Sequence, residues 1–292
     1  MALLIDIVLA GLILGGMYAL TAMGLTLQYG MARIMNLSYG EFLIAAAFAA
    51  HWMFTSMALS PLYGLILVIP AAFAVNWAVY QVLLTPLVRR ARNRDMLEVD
   101  SILATFGLLF VVQGIMLVMF GGQYHSYSYL AIPIDILGST VSLNRLLALL
   151  LAAAFGIALY LGLTRTRAGT AIRAVAVNPV SAELSAIDVR ATSAFAFALG
   201  GALVAAGGVL VSMFLTFNAN MGVVFTMKAL IVVIMGGVGN MIGALAAGLL
   251  LGLAETAVAR LFDPGLTLAV TFALFLIVLL VRPTGLFGRP AR

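Results

Sequence analysis

The chain has 292 residues, of which 64% are hydrophobic and only 9% charged, and its mean hydropathy is +1.19. Water-soluble domains carry about 25% charged residues, so the composition excludes a soluble globule and points to a protein built within a bilayer. The absence of cysteine excludes disulfide and thiol chemistry. The net charge of +5 fits arginine collected in cytoplasmic loops better than nucleic-acid binding.

In chain order, apolar runs recur that are long enough to cross a bilayer as helices. They are continuous, where barrel strands would alternate in short segments. Spans are predicted at Ile7–Tyr29, Phe42–Phe54, Leu62–Leu84, Ser101–Phe120, Leu143–Leu163, Ser193–Phe214 and Leu266–Val281. A further stretch, Val223–Ala259, exceeds one span and is broken by glycines at its centre. Counted once, it brings the expectation to about eight transmembrane helices. The fold class is therefore all-α, a polytopic membrane protein with a glycine-broken helix pair near the C-terminal third, forming a single domain over residues 1–292. The first residues lack a basic region and the first run is long enough to span, so no cleavable signal peptide is expected.

Arginine sets the orientation. Arg89, Arg90, Arg92 and Arg94 form one cluster, Arg165, Arg167, Arg173 and Arg190 a second, and Arg282, Arg289 and Arg292 a third; such loops are cytoplasmic. Between the first two, Gly121–Ser142 has no Lys or Arg but carries Tyr124, His125, Tyr127 and Tyr129, as an external interfacial loop would. Counting back places Arg33 inside and the N-terminus, with Asp6, outside; the C-terminus is cytoplasmic.

The polar stretch Asn36-Leu37-Ser38-Tyr39-Gly40-Glu41-Phe42 interrupts this apolar text. Asn36 or Ser38 can cap the second helix, and Ser38 and Glu41 have capping-box spacing. A helix start placed toward the interior would also line the inner mouth of a pathway through Asn36, Ser38, Tyr39 and Glu41. Residues 164–192 are long for a connector. Gly169–Val177 reads as a short helix, then Asn178 as N-cap and Pro179 at the first helical position open a second, Pro179–Ile187, with Val180, Leu184 and Ile187 on one stripe. The pair is a docking surface for a cytoplasmic partner or an amphipathic segment whose arginines hold anionic membrane lipid.

In Met227–Thr256 the run Gly236-Gly237-Val238-Gly239-Asn240 is a poor helix interior, and non-helical backbone at membrane depth survives only against protein or a wet cavity. Two shorter helices are expected to meet there, near the translocation path. Gly239/Gly243 and Gly248/Gly252 have the small-xxx-small spacing that brings helix backbones together. Lys228 and Glu255 are possible intramembrane charges, functional by default or reaching an interface, with the interface favoured for Lys228. The only lysine is Lys228, so no phosphate-binding P-loop exists. His51 and His125 have no cysteine partners and are far apart in sequence, which argues against a metal; His51 reads as interfacial. Gly237-Val238-Gly239 with Gly243 misses the dinucleotide spacing by one residue. Nothing has the form of an active site, so no enzyme is expected.

"YGMARIMNLSYGEFL" resembles the pattern of the branched-chain amino acid permeases of ABC importers, matching at Tyr29, Gly30, Asn36, Gly40, Glu41 and Phe42 and departing at Tyr39, where that family often has His. "TRTRAGTAIRAVAVNPVSAELSAID" resembles its cytoplasmic coupling loop, "FALGGALVAAGGVL" the helix that follows, "KALIVVIMGGVGNMIGALAAGLLLGLAE" its glycine-rich signature, and "RPTGLFG" its C-terminal end. The resemblance implies a multi-pass permease of the bacterial cytoplasmic (inner) membrane that binds no cofactor itself. ATP and Mg would be held by two cytoplasmic ATP-binding-cassette ATPases gripping the coupling loop through Arg173, Asn178, Pro179, Ala182, Glu183, Leu184 and Ile187. A second, homologous permease would complete a heterodimer and an external, periplasmic binding protein would deliver substrate, with no nucleic acid involved. Gly236, Gly237, Gly239 and Asn240 join the expected path. The implied cargo is a branched-chain or other hydrophobic amino acid, moved by alternating access; relatives carry urea, short amides or small aromatic acids. An ion-coupled secondary transporter is the rival reading, with Glu41, Glu255 and Lys228 as its few candidate groups.

Overall fold

Backbone polar groups within a bilayer must satisfy one another, and helices do so locally. The computed structural model, which describes residues 2–32, 34–90, 94–136 and 138–288, is helical almost throughout. Helix α1 (Ala2–Ala32) is followed by α2 (Tyr39–Met57) and α3 (Pro61–Val79), which continues through a π-turn at Tyr80–Leu84 into α4 (Thr85–Arg90). Then come α5 (Arg94–Phe120), a hairpin of β1 (Pro133–Ile136) and β2 (Ser139–Ser142), and α6 (Leu143–Arg165). Two short helices, α7 (Arg167–Val177) and α8 (Pro179–Leu184), lead to α9 (Val189–Ser212), α10 (Gly222–Gly236), α11 (Met241–Leu261) and α12 (Thr267–Val281).

Among the described residues seven helical stretches are long and apolar enough to cross a membrane. The expected Phe42–Phe54 span is α2, and it is not one of the seven: Glu41 and His51 lower its hydropathy, and most of it is buried. The glycine break falls at residues 237–240, where Gly237 and Gly239 take positive φ of 98° and 80°. It yields a full-length α11 but only a 15-residue α10, about 22 Å long against a hydrocarbon core of about 30 Å. Gly121–Ser142, expected as an external interfacial loop, contains an antiparallel hairpin with Ile134 opposite Val141.

The centre of the protein is α9, 89% of whose apolar window is buried; α5 and α12, at 11%, lie on the periphery. Along the α1–α11 seam Gly248 faces Ala19, and a Cβ added to Gly252 would come within 2.2 Å of the Gly15 nitrogen. The close approach expected of the Gly248/Gly252 spacing is thus made against α1. Gly243 meets Gly236 instead, which closes the turn between α10 and α11.

Two ends can be told apart. At one, the Tyr80 ring lies tilted against Phe197 at 5.6 Å and close to Arg190, and the C-terminal residues fold back so that Leu286 and Phe287 amides donate to the carbonyls of Met235 and Gly236. Arg89, Arg90, Arg165, Arg173, Arg190 and Arg282 belong to this basic end; Arg33, Arg92, Arg289 and Arg292 lie outside the described residues. At the other end His125 and Phe217 exchange backbone hydrogen bonds at 2.8 and 3.0 Å, joining the 121–142 loop to the α9–α10 connection. Arg260 also lies here, 3.1 Å from Asp6. Burial pushes the Tyr127 phenol up to about 12 against the opposing hydrogen bond from Ser212, so it holds the loop to α9 as a neutral hydroxyl.

Candidate functional site

The stretch 36–41 is buried except at Leu37, which is half-buried. Asn36 is fully buried and donates to Gln28, which donates to the Phe197 carbonyl, so one side-chain chain links α1, the connector and α9. The Asn36 carboxamide oxygen accepts from both the amide (3.1 Å) and the hydroxyl (2.7 Å) of Ser38. This overturns the expected capping box. Ser38 occupies the N-cap position, but its hydroxyl is committed to Asn36 and caps nothing, and its amide is not free to receive Glu41. Tyr39 is buried at 1% exposure; its hydroxyl donates to the Thr21 carbonyl and lies 3.4 Å from that of Gly200. In this arrangement it locks α2 against α1 and α9.

The same stretch meets the start of α10. The Gly40 amide donates to the Thr226 hydroxyl at 2.8 Å, and that hydroxyl donates to the Leu37 carbonyl at 3.2 Å. On the other side, the Leu37 amide donates to Thr105 of α5. Two helices therefore begin inside the protein, side by side, at Tyr39 and Gly222. Glu41 is fully buried between them with no hydrogen-bond partner on either carboxyl oxygen.

Lys228 and Glu255 form one unit. The ammonium donates to the carboxylate at 2.9 Å and to the Tyr18 hydroxyl at 2.6 Å; Tyr18 donates to the same carboxylate oxygen at 2.8 Å, and Thr271 donates to the other. Lys228 is 13% exposed and Glu255 2%, so the expectation that Lys228 reaches an interface is corrected. A buried carboxylate one helix away captures the ammonium more effectively than distant water. The pair ties α10 to α11, with α1 and α12 supplying the hydroxyls. Tyr18 and Thr271 were not legible in the sequence, where each is one polar residue within an apolar run.

The broken turn is clasped by the C-terminal residues. Asn240 accepts from the Gly243 amide as the α11 cap and donates to the Phe287 carbonyl, while Gly237 packs against the backbone of Gly288. Gly239 lies against Gly30, bringing the "YG" and "GGVGN" motifs together, and borders a cavity of about 600 Å³ at the basic end that Thr26, Thr164 and Arg173 also line.

The two short helices at residues 164–192 form as the spacing predicts. The Asn178 side chain accepts from the Val180 and Ser181 amides, and Pro179 takes the first helical position. Helix α8 ends at Leu184 instead of Ile187, because Ala186 turns to positive φ and the Ile187 amide folds back to the Ala182 carbonyl. Ala182 is buried at 3%, so it is a fold-facing residue here and cannot be part of an exposed surface. Ile187 is half-buried, whereas Arg173, Glu183 and Asn178 are exposed. The exposed apolar groups are Val177 (85%), Val180 (65%) and Leu184 (85%); Val177 was missed, lying at the end of the preceding helix. His51 and His125, distant in sequence, stack edge-on at 5.1 Å within an aromatic cluster at the other end. No group of three metal-ligating side chains gathers among the described residues.

A bundle of membrane-length helices, interrupted by short helices that start and stop inside it, is the build of a polytopic membrane permease. Comparison with known sequences makes that class specific. The chain belongs to the family described as branched-chain amino acid transport system / permease component, whose model matches residues 7–279. It is 28% identical to the high-affinity branched-chain amino acid transport system permease protein LivH of Escherichia coli K12, over 96% of this chain and 94% of that protein. LivH of Salmonella typhimurium is 30% identical and BraD of Pseudomonas aeruginosa 29%, each with the same coverage. No solved structure matches the chain.

Proposed function

We propose that this chain is one permease half of an ATP-driven importer for branched-chain or other hydrophobic amino acids, working by alternating access in the bacterial inner membrane. The observation that carries the reading is the Asn178 elbow: a capped pair of short helices that holds Val177, Val180 and Leu184 bare beside exposed Arg173 and Glu183. Exposed apolar groups at the tip of a basic loop are a surface for a protein partner. The chain has no nucleotide-binding loop, so the energy source lies in that partner. Family membership supports a pair of cytoplasmic ATPases there, a sister permease alongside and an external binding protein at the hairpin end. On this reading the basic end is cytoplasmic. The broken turn and the α2–α10 junction are then two levels of one route, biased between inward- and outward-open states by what grips the elbow.

The test is gentle solubilisation followed by reconstitution. Co-purification of two ATPase chains and a related permease, with leucine accumulation that requires ATP and a binding protein, is the expected result. Uphill uptake by the isolated chain, driven by a proton gradient, would overturn it in favour of ion coupling, for which the bare Glu41 carboxyl is the one supporting observation.

A further inference from the structure

Among the described residues two carboxyl groups are fully buried, and the fold treats them in opposite ways. Glu255 receives three donors. Glu41 receives none, although it is fully buried. Leaving a buried carboxyl bare is expensive, and within a membrane protein such a group is functional by default. The surrounding helices do not lack donors: hydroxyls of Ser38, Thr226 and Thr105 are all close to the stretch, yet each is used on backbone or on Asn36.

Its position is specific. A Cβ added to Gly222 would come within 2.3 Å of the Glu41 carboxyl carbon, so the carboxyl rests on the bare backbone of the first residue of α10. A Cβ added to Gly40 would meet the Gly222 carbonyl at 2.0 Å. Two helix starts are thus in backbone contact, each with the partial positive charge of an N-terminus; at α2 the Gly40 amide is already used on the Thr226 hydroxyl and the Glu41 amide on the Ser38 carbonyl. Neither N-cap residue caps its own helix: Ser38 is turned to Asn36, and the position before α10 is Met221.

These charges select a ligand. A lone cation is disfavoured by two positive helix ends, and no group of three acidic or imidazole ligands forms a metal site among the described residues. A lone anion is disfavoured by Glu41. A molecule carrying both charges a few ångströms apart satisfies both. Resting on the importer reading, we infer that the α2–α10 junction binds the head of a zwitterionic α-amino acid: Glu41 takes the ammonium, and the start of α10 takes the carboxylate. In this structure the Glu41 carboxyl covers the α10 start that the substrate carboxylate would occupy. Binding therefore requires α10 to move away from α2.

The experiment uses the complete reconstituted complex and a hydrophobic carbodiimide that labels buried carboxyls. Labelling is read by peptide mass at Glu41, with Glu255 as internal reference. L-Leucine, its 2-hydroxy analogue (ammonium replaced by hydroxyl) and isoamylamine (no carboxylate) are compared as protectants. Leucine at ten times its dissociation constant should slow labelling of Glu41 about tenfold, with both analogues and the Glu255 site unresponsive. Glu41→Gln, in complexes that still co-purify with their partners, should lower leucine uptake by about 10- to 100-fold, the loss of one charged hydrogen bond. Equal protection by the hydroxy acid, or Glu41→Gln uptake within about twofold of wild type, overturns the assignment. If Glu41→Gln fails to assemble, the wild-type protection pattern decides alone. Failure of the wild-type complex to accumulate any amino acid would instead strike the importer reading itself.

Discussion

Replacing Lys228 by methionine removes one of three donors that hold Glu255 and leaves a carboxylate of 2% exposure facing two neutral hydroxyls. Removing one partner of a buried pair costs about 3–5 kcal/mol, mostly for the stranded charge. Because Tyr18 and Thr271 remain, the lower figure applies, about 3 kcal/mol. Glu255→Leu strands the ammonium with one hydroxyl acceptor and should cost a similar amount. Replacing both leaves no buried charge, so the double variant should lose about 3 kcal/mol or less where additivity demands about 6, a coupling of about 3 kcal/mol. The assay is a double-mutant cycle by reversible unfolding in mixed micelles. The Asp6–Arg260 pair serves as comparator: its side chains are 25% and 48% exposed, and Asp6→Asn should change stability by less than about 1 kcal/mol. Single variants at Lys228 and Glu255 that each cost under about 1 kcal/mol and simply add would refute the reasoning, since they would mean that the pair is hydrated.

Four shorter predictions follow from the same geometry. Leu184→Asp and Val180→Asp should abolish ATP-dependent uptake with normal membrane assembly, while Ala182→Asp, at a buried position, should lower the yield of folded protein; size-exclusion profiles beside uptake separate the outcomes. Asn178→Ala removes the acceptor for two amides and should cost about 1 kcal/mol locally, seen as faster hydrogen exchange confined to α8. Gly252→Leu drives a side chain into the Gly15 backbone and should prevent α1 and α11 from packing, giving aggregated protein on solubilisation. The Tyr127 phenol titrates at about 12 when folded and near 10 when unfolded. The folded state therefore holds the proton more tightly. This contribution to stability is full below pH ~10 and is lost as the pH rises through ~12, which alkaline unfolding of Tyr127→Phe against wild type will show as a smaller slope in that window.

Local chemistry in this chain was legible from sequence, and depth was not. Asn178 followed by Pro179 encodes a helix start within three residues, and the structure forms it there. The glycines at 236–239 mark a break for a purely backbone reason, and the break is there too. The partnership of Lys228 with Glu255 spans two helices, and no local pattern announces a contact between residues so placed. Asn36 shows a different limit. Both it and Ser38 are capable caps, and only the tertiary link through Gln28 to α9 decides that Asn36 takes the serine while the helix start stays uncapped. The histidines at 51 and 125 meet through the fold of an external-loop candidate whose hairpin has little propensity signal.

α9 touches almost no lipid in the finished protein, yet it is apolar enough to enter a bilayer by itself. The helices that enclose it, α1, α2 and α3, all precede it in the chain, so during synthesis it enters a membrane in which its partners already stand. Its glycines meet those helices directly, Gly200 at Gln28, Gly201 at Asn76 and Gly208 at the Leu43 carbonyl. A chain halted after Ser212 would therefore already possess the neighbours that cover α9, and would lack only the α10–α12 layer, whose main seat is the α11 face of α1.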